Sequence, residues 1–296
     1  FRPDSYYQAI IGWVKKRYGM TVQKEEINFV PGIVPGLGMA INCFTEPGDK
    51  IMIMPPVYHP FAWLVTRNNR RLVECPLKEV DGHYRMDLDL IRRSICADDN
   101  VIVFSDEIHA DLTLPPFHHT PFAMVSEKAR NNSVTFMAPS KTFNIPGVAA
   151  SHTFIHNEAL RERFVNYLDA GELNAGHVFA WPAVTAAYTE GEEWLAQCLA
   201  YIQGNIDYVA DYVGTHIPKM KVMRPQASYL IWLDCRELGL SHEDLNAFFV
   251  DKAGLALNDG EMFGKEGAGF MRMNVGCPRI TLEKALQQLK AAYDTL

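Results

Sequence analysis

The chain has 296 residues, 48% of them apolar, enough for one large domain or two modest ones around a buried core. A formal charge of −7 and a pI near 5.8 argue against a dedicated binder of phosphate backbones, which relies on clustered Lys and Arg. The six cysteines, Cys43, Cys75, Cys96, Cys198, Cys235 and Cys277, are scattered, with no CxxC pair and no zinc-site spacing, so a reduced, cytoplasmic protein is expected. A chain that opens on Phe reads as part of a longer one.

FRPDSYYQAIIGWVKKRYG opens the chain as an amphipathic helix carrying charges, unlike a basic, apolar leader, and no long apolar run follows to suggest a membrane span. Through residue 155, apolar runs alternate with amphipathic helices: DKIMIMPP, RRLVECPL, VIVFSDE, SVTFMAP and ASHTFIHN read as strands. Uninterrupted apolar strands with helical crossovers imply an α/β fold with a mainly parallel sheet covered on both faces. After Gly191 the pattern changes to a long helix, GEEWLAQCLAYIQGNIDYVADYVG, then KVMRP, SYLIWLDC, a helix from about Ser241, GFMRMNVG and a last helix. The expected division is a large domain over 1–195 and a smaller α+β domain over 196–296 on a connecting helix.

In open α/β sheets, ligands collect at the carboxyl ends of the strands. Asp106, Glu107 and His109 follow one such run, and Asp106-Glu107-Ile108-His109 matches a helicase DExH box. That reading needs a GxxxxGK[ST] phosphate loop upstream, and the chain has none. A carboxylate closing one strand, with Ser140 and Lys141 closing a later one, fits pyridoxal phosphate chemistry instead. There a lysine forms a Schiff base with the cofactor's aldehyde and a buried Asp keeps the pyridine nitrogen protonated.

FSDEIHADL, APSKTFNIPG, PPVYHPF and GFMRMNVGCPR, in that family's order, resemble the cystathionine beta-lyase (carbon-sulfur lyase) branch of the class I/II aminotransferase-like, fold type I pyridoxal phosphate enzymes. The resemblance runs from near residue 1 to the C-terminus. It implies Lys141 as the Schiff-base lysine, Ser140 as a phosphate ligand, and Asp106 as the ring-nitrogen anchor with His109 nearby. VPGIVPGLGMAI resembles the phosphate cup, with Gly32 and the amides of Ile33 and Val34 at a helix N-terminus. Tyr58 matches the aromatic that stacks on the cofactor ring, and Arg272 matches the arginine that grips the substrate carboxylate. Each has a plainer reading: a solvated lysine, an ordinary Gly/Pro loop, a packed core tyrosine, a core histidine, and a structural arginine, with Arg279 a near alternative to Arg272.

Two departures stand out. The family carries, ahead of the SDEIH strand, a strand and helix with an NPHNP-type motif, whereas here SICADDN runs directly into VIVFSDEIH. Removing an interior strand would leave sheet edges unpaired, so a segment near residue 100, and an N-terminal arm, are expected to belong to the natural protein. The implied reaction is β-elimination from L-cystathionine or a related cysteine S-conjugate, with aminotransfer by the same residues as the alternative. A third reading is a non-catalytic binding or regulatory protein on the same fold. No metal is implied, the partner is a small amino-acid substrate rather than nucleic acid or membrane, and the family implies a homodimer.

Overall fold

The computed structural model describes residues 2–95 and 101–296. In chain order the elements are α1 (Asp4–Tyr18), β1 (Ile27–Val30), α2 (Ile33–Phe44), β2 (Lys50–Ile53), α3 (Pro60–Arg67), β3 (Arg71–Glu74), β4 (Lys78–Val80) and β5 (His83–Arg85). There follow α4 (Leu88–Ile95), β6 (Val103–Asp106), α5 (Glu127–Asn131), β7 (Ser133–Met137), α6 (Pro139–Thr142), β8 (Ser151–Phe154), α7 (Glu158–Ala170) and α8 (Ala180–Glu190). The chain closes with α9 (Glu192–His216), β9 (Lys221–Met223), β10 (Leu230–Asp234), α10 (His242–Ala247), β11 (Asn258–Asp259), β12 (Phe270–Asn274) and α11 (Arg279–Tyr293). Two compact units result. One comprises Phe1–Ile51, Trp63–Arg71 and Ile95–Gln197; the other comprises Met52–Ala62, Leu72–Ser94 and Cys198–Leu296.

The first unit is built on a four-stranded sheet ordered β1-β8-β7-β6. β6 and β7 are parallel, while β8 is antiparallel to both β7 and β1. Three of the four strands therefore run in one direction, and β8 alone is reversed. The link from β7 to β8 explains this: it holds only the four-residue α6 and a single helical turn, too little helix for a parallel crossover. β1, β7 and β8 are buried along their whole length; β6, at the end of the sheet, is only half-buried. The point ahead of β6 at which a further segment is expected lies at residues 96–100, outside the described residues.

Helices cover both faces of this sheet. On one, Gly36 of α2 lies so close to β1 and β7 that a Cβ there would sit 2.8 Å from the Val30 side chain and 3.1 Å from Phe136. Phe44 packs on Phe104 and Phe164 on the same side. On the other face α1 lies against α8, with Tyr6 edge-on to Trp181 and Trp13 stacked on Tyr188 at 5.1 Å. α1 forms because Tyr6, Ile10, Trp13 and Val14 fall on one helical stripe and are all buried. It stops where Gly19 adopts φ 70° and its N–H bonds the carbonyl of Lys15.

The second unit centres on an antiparallel sheet ordered β11-β12-β10-β9. Trp232 stacks on Phe270 across β10 and β12, and α11 buries Leu282, Leu286 and Leu289. β2 pairs with β3, and β4 with β5. The β4–β5 turn places Asp81 and Gly82 both at positive φ, as a two-residue hairpin turn requires.

β8 also carries a liability. His152 is fully buried between Phe154 and Tyr188, neither ring nitrogen has a hydrogen-bond partner, and burial pushes its pKa from 6.5 down to about 3. Between those two values the unfolded chain binds a proton that the folded chain refuses. Stability should therefore fall as pH drops below 6.5, by about 1.4 kcal/mol per pH unit from this group. Urea unfolding of His152→Phe at pH 7 and pH 5 should show a smaller acid loss than the parent; an equal loss would contradict the assignment.

Candidate active site

The shared direction of β1, β7 and β6 brings their carboxyl ends to one side of the first unit's sheet. β6 ends at Asp106, in register with Phe136 of β7. Two residues beyond β7, Pro139 opens α6, and that short helix carries Ser140, buried, and Lys141, exposed. Two residues beyond β1, Gly32 opens α2 at φ 137°. No side chain caps that helix, so the first amides, those of Ile33 and Val34, are left pointing outward; Pro35 next to them has none to offer. His109, half-buried, begins the single helical turn Ala110–Leu112.

Asp106 is the electrostatic centre of this group. Burial is the main cause that lifts its pKa from 3.8 to about 6; the neighbouring Glu107 adds to the rise, while the Ile108 amide (3.1 Å) and the Lys141 ammonium oppose it. Glu107, though adjacent, turns the other way. It is buried and accepts hydrogen bonds from Ser105 Oγ (2.9 Å), the Phe122 amide (2.9 Å) and His119 Nε2 (2.7 Å). The acidic pair thus divides into one carboxylate tied into the scaffold and one held short of donors.

The remaining two expected residues lie in the second unit, near each other. Tyr58 follows the cis Pro55-Pro56 bond and is 43% exposed as a residue, which argues against the packed-core reading. Arg272, in the middle of β12, has its pKa lowered by burial, with Tyr58 and Tyr229 close enough to oppose that shift. Its guanidinium covers the Phe263 ring at 4.5 Å and donates through Nη2 to Asn258 Oδ1 (2.8 Å), while Nε is buried with no partner. Arg279 is committed elsewhere: Nε donates to Asn205 Oδ1 (2.9 Å) and the guanidinium stacks on Tyr208 at 4.5 Å. Asn205 in turn donates to the carbonyls of Val275 and Cys277, so Arg279 holds the start of α11 in place.

The aminotransferase class I and II family matches residues 93–289. The chain belongs to that family. It is similar to the cystathionine beta-lyase PatB of Bacillus subtilis, at 39% identity over 96% of this chain and 82% of PatB. Among solved structures it resembles cystalysin from Treponema denticola, which contains pyridoxal 5′-phosphate (30% identity, TM-score 0.93, 100% of this chain and 83% of that one). It also resembles a PLP-bound C-S lyase from Staphylococcus hominis (29% identity, TM-score 0.89, 99% and 84%). The fold is accordingly that of fold type I enzymes, as the motifs implied. The match to PatB extends over 316 positions, more than the 296 residues present here, so at least twenty of those positions have no counterpart in this chain.

Pyridoxal phosphate, the cofactor of those solved relatives, suits what the first unit offers. A carboxylate raised by burial, which the Lys141 ammonium offsets only in part, suits a protonated ring nitrogen as partner. An uncapped helix start opened by a glycine suits a phosphate. Sequence reasoning missed His119 and the roles of Glu107's neighbours, because a histidine in the loop PPFHHT carries no periodicity that would flag it.

The raised pKa of Asp106 is also a stability statement. A carboxyl titrating near 6 in the folded state and near 3.8 unfolded stabilises the fold fully below pH 4, and that contribution is lost as pH rises through 6. Above pH 6 the desolvated charge costs about 3 kcal/mol. Cofactor-free Asp106→Asn should therefore resist urea better than the parent at pH 7.5, with the advantage shrinking by pH 4.5. A destabilised variant at pH 7.5 would overturn this reading of the site.

Proposed function

We propose that the protein is a pyridoxal 5′-phosphate-dependent carbon-sulfur β-lyase. Acting on L-cystathionine or a related cysteine S-conjugate, it takes up one water and yields a thiol (homocysteine from cystathionine), pyruvate and ammonia. The observation that carries the reading is the half-buried, desolvated Asp106, whose pKa is raised, near Lys141 at the ends of two adjacent strands. The similarity to PatB supports the lyase within that chemistry.

The cofactor, when bound, supplies a ring that draws electrons from the substrate's α-carbon. Asp106 would hold the proton on the ring nitrogen, and the amides of Ile33 and Val34, reached past Gly32, would take the phosphate together with Ser140. Tyr58 would stack on the ring, with His109 beside it. Arg272 grips the substrate carboxylate with a two-pronged pair that its partnerless Nε is suited to complete. Lys141 would hold the cofactor through its amine, and that amine, when free, would serve as the base for the substrate's α-proton. With a good leaving group on the β-carbon, such as a thiolate, elimination follows.

Amino transfer is the second reading, favoured by the family's own description and requiring the same residues. We further propose a homodimer, since Val178 and Phe179, between α7 and α8, expose 71% and 73% of their surface. A cytoplasmic location fits the five described cysteines, all free thiols. Among the described residues no helix is long and apolar enough to cross a membrane.

Full-length protein with pyridoxal phosphate should release pyruvate and free thiol from L-cystathionine in equal amounts without any keto acid, and Lys141→Ala should abolish both. Transfer that depends on an added keto acid, with no pyruvate, would move the assignment to the aminotransferases. Arg272→Lys should raise KM by on the order of ten-fold to a hundred-fold, because an ammonium cannot form the two-pronged pair. An unchanged KM would remove Arg272 from the substrate site.

A further inference from the structure

The loop that follows Asp106 carries a second buried acid, Asp111, which the proposed reaction does not use. Its carboxylate is enclosed within the first unit and receives donors from two other elements. Trp13 Nε1 of α1 donates to both oxygens, at 3.0 and 3.1 Å, and the Tyr18 hydroxyl donates to Oδ1. Arg17 sets Nε 3.4 Å from Oδ1 and donates through Nη2 to the Asp111 carbonyl at 3.1 Å. From α6, Thr142 Oγ1 donates to Oδ2 at 3.4 Å; Thr142 is fully buried and directly follows Lys141. The Trp13 ring that serves Asp111 also lies 5.8 Å from Phe143, the next residue of that segment.

A buried charge with several donors is a costly way to hold a fold, since a well-packed apolar side chain of similar size often serves stability as well. What such a charge does better is fix geometry. α6 has four residues and cannot hold itself as a helix, so the place of Lys141 depends on what anchors its ends. Asp111 lies five residues after Asp106 and contacts the residue after Lys141. Resting on the Lys141 reading above, we infer that Asp111 is a positioning residue. With Trp13 and Tyr18 of α1 as its base, it fixes the Lys141 segment relative to the Asp106 strand end. The Tyr18 phenol, whose pKa burial and the Asp111 carboxylate push well up, stays protonated and remains a donor throughout the working pH range.

The test uses Asp111→Asn, Thr142→Val and the double variant in the full chain, each read in two ways. In cofactor-free protein, hydrogen exchange of the 139–145 amides should speed up in both single variants, and that of α7 should not. In cofactor-loaded protein, the pH midpoint of the bound chromophore's visible absorbance should shift in the same direction in both. kcat should fall on the order of ten-fold with little change in KM, and the double variant should be no worse than Asp111→Asn, as for two groups acting through one contact. Thr142→Val loses one hydroxyl, so it keeps the question answerable if Asp111→Asn does not fold. Unchanged exchange at 139–145, or a parent-like midpoint with activity lost only in proportion to stability, would overturn the inference. If the parent takes up no cofactor, the function proposed above fails, while the exchange experiment still decides whether Asp111 holds the segment.

Discussion

A carboxylate kept short of partners is the constraint on which the site depends. Asp106 is desolvated, receives one backbone amide, and has an acidic neighbour in sequence, so its pKa sits near 6 when nothing else is bound. Folding alone would be served better by an asparagine or by a well-paired acid. The surroundings must therefore be rigid enough to hold an unfavourable group, and they are: β7 is buried along its whole length beside β6, and Glu107 is locked by three donors immediately next door. The division of the acidic pair is what allows one member to be strained and the other to be structural.

The direction of the strands does the rest of the positioning in the first unit. Reversing β8 between β1 and β7 lets the chain return without a crossover helix, and it leaves β1, β7 and β6 pointing one way. Their carboxyl ends deliver, in turn, a glycine-opened helix start, a lysine on a four-residue helix, and the strained acid. Gly32 and Asp106 are 74 residues apart in sequence, and Asp106 and Lys141 are 35 apart, yet no long side chain need link them for them to act together. The sheet sets the frame, and only the short α6 needs separate anchoring.

Much of this was legible in the sequence because buried strands of such a sheet are written as unbroken apolar runs. VIVFSDE, SVTFMAP and ASHTFIHN contain strands of that sheet, whereas DKIMIMPP and RRLVECPL contain β2 and β3, less buried and paired with each other; the opening helix and the helices from Glu192 and Arg279 lie where periodicity places them. β1 escaped because INFV is four residues long and wedged between a charged turn and Pro31-Gly32, too short to show a period. The β4–β5 hairpin escaped because its strands are exposed and polar, although Asp81-Gly82 is a hairpin signal in its own right. The reversal of β8 could not be read from residue types, since direction is decided by how the connection packs.

The two arginines near the C-terminus show where pattern stops and contact begins. Arg272 and Arg279 are seven residues apart, and composition treats them alike. Arg279 stands at the start of α11, where a cation is poorly placed against the helix dipole, and it is held by Asn205 and the Tyr208 ring instead. Replacing its contacts with a substrate would undo the anchoring of α11. Arg272 lies on a central strand with one donor on Asn258 and another, Nε, buried and unmet. A buried N–H of that kind costs free energy until an acceptor arrives, a need that Arg272 Nε has and that Arg279 Nε, met by Asn205, does not.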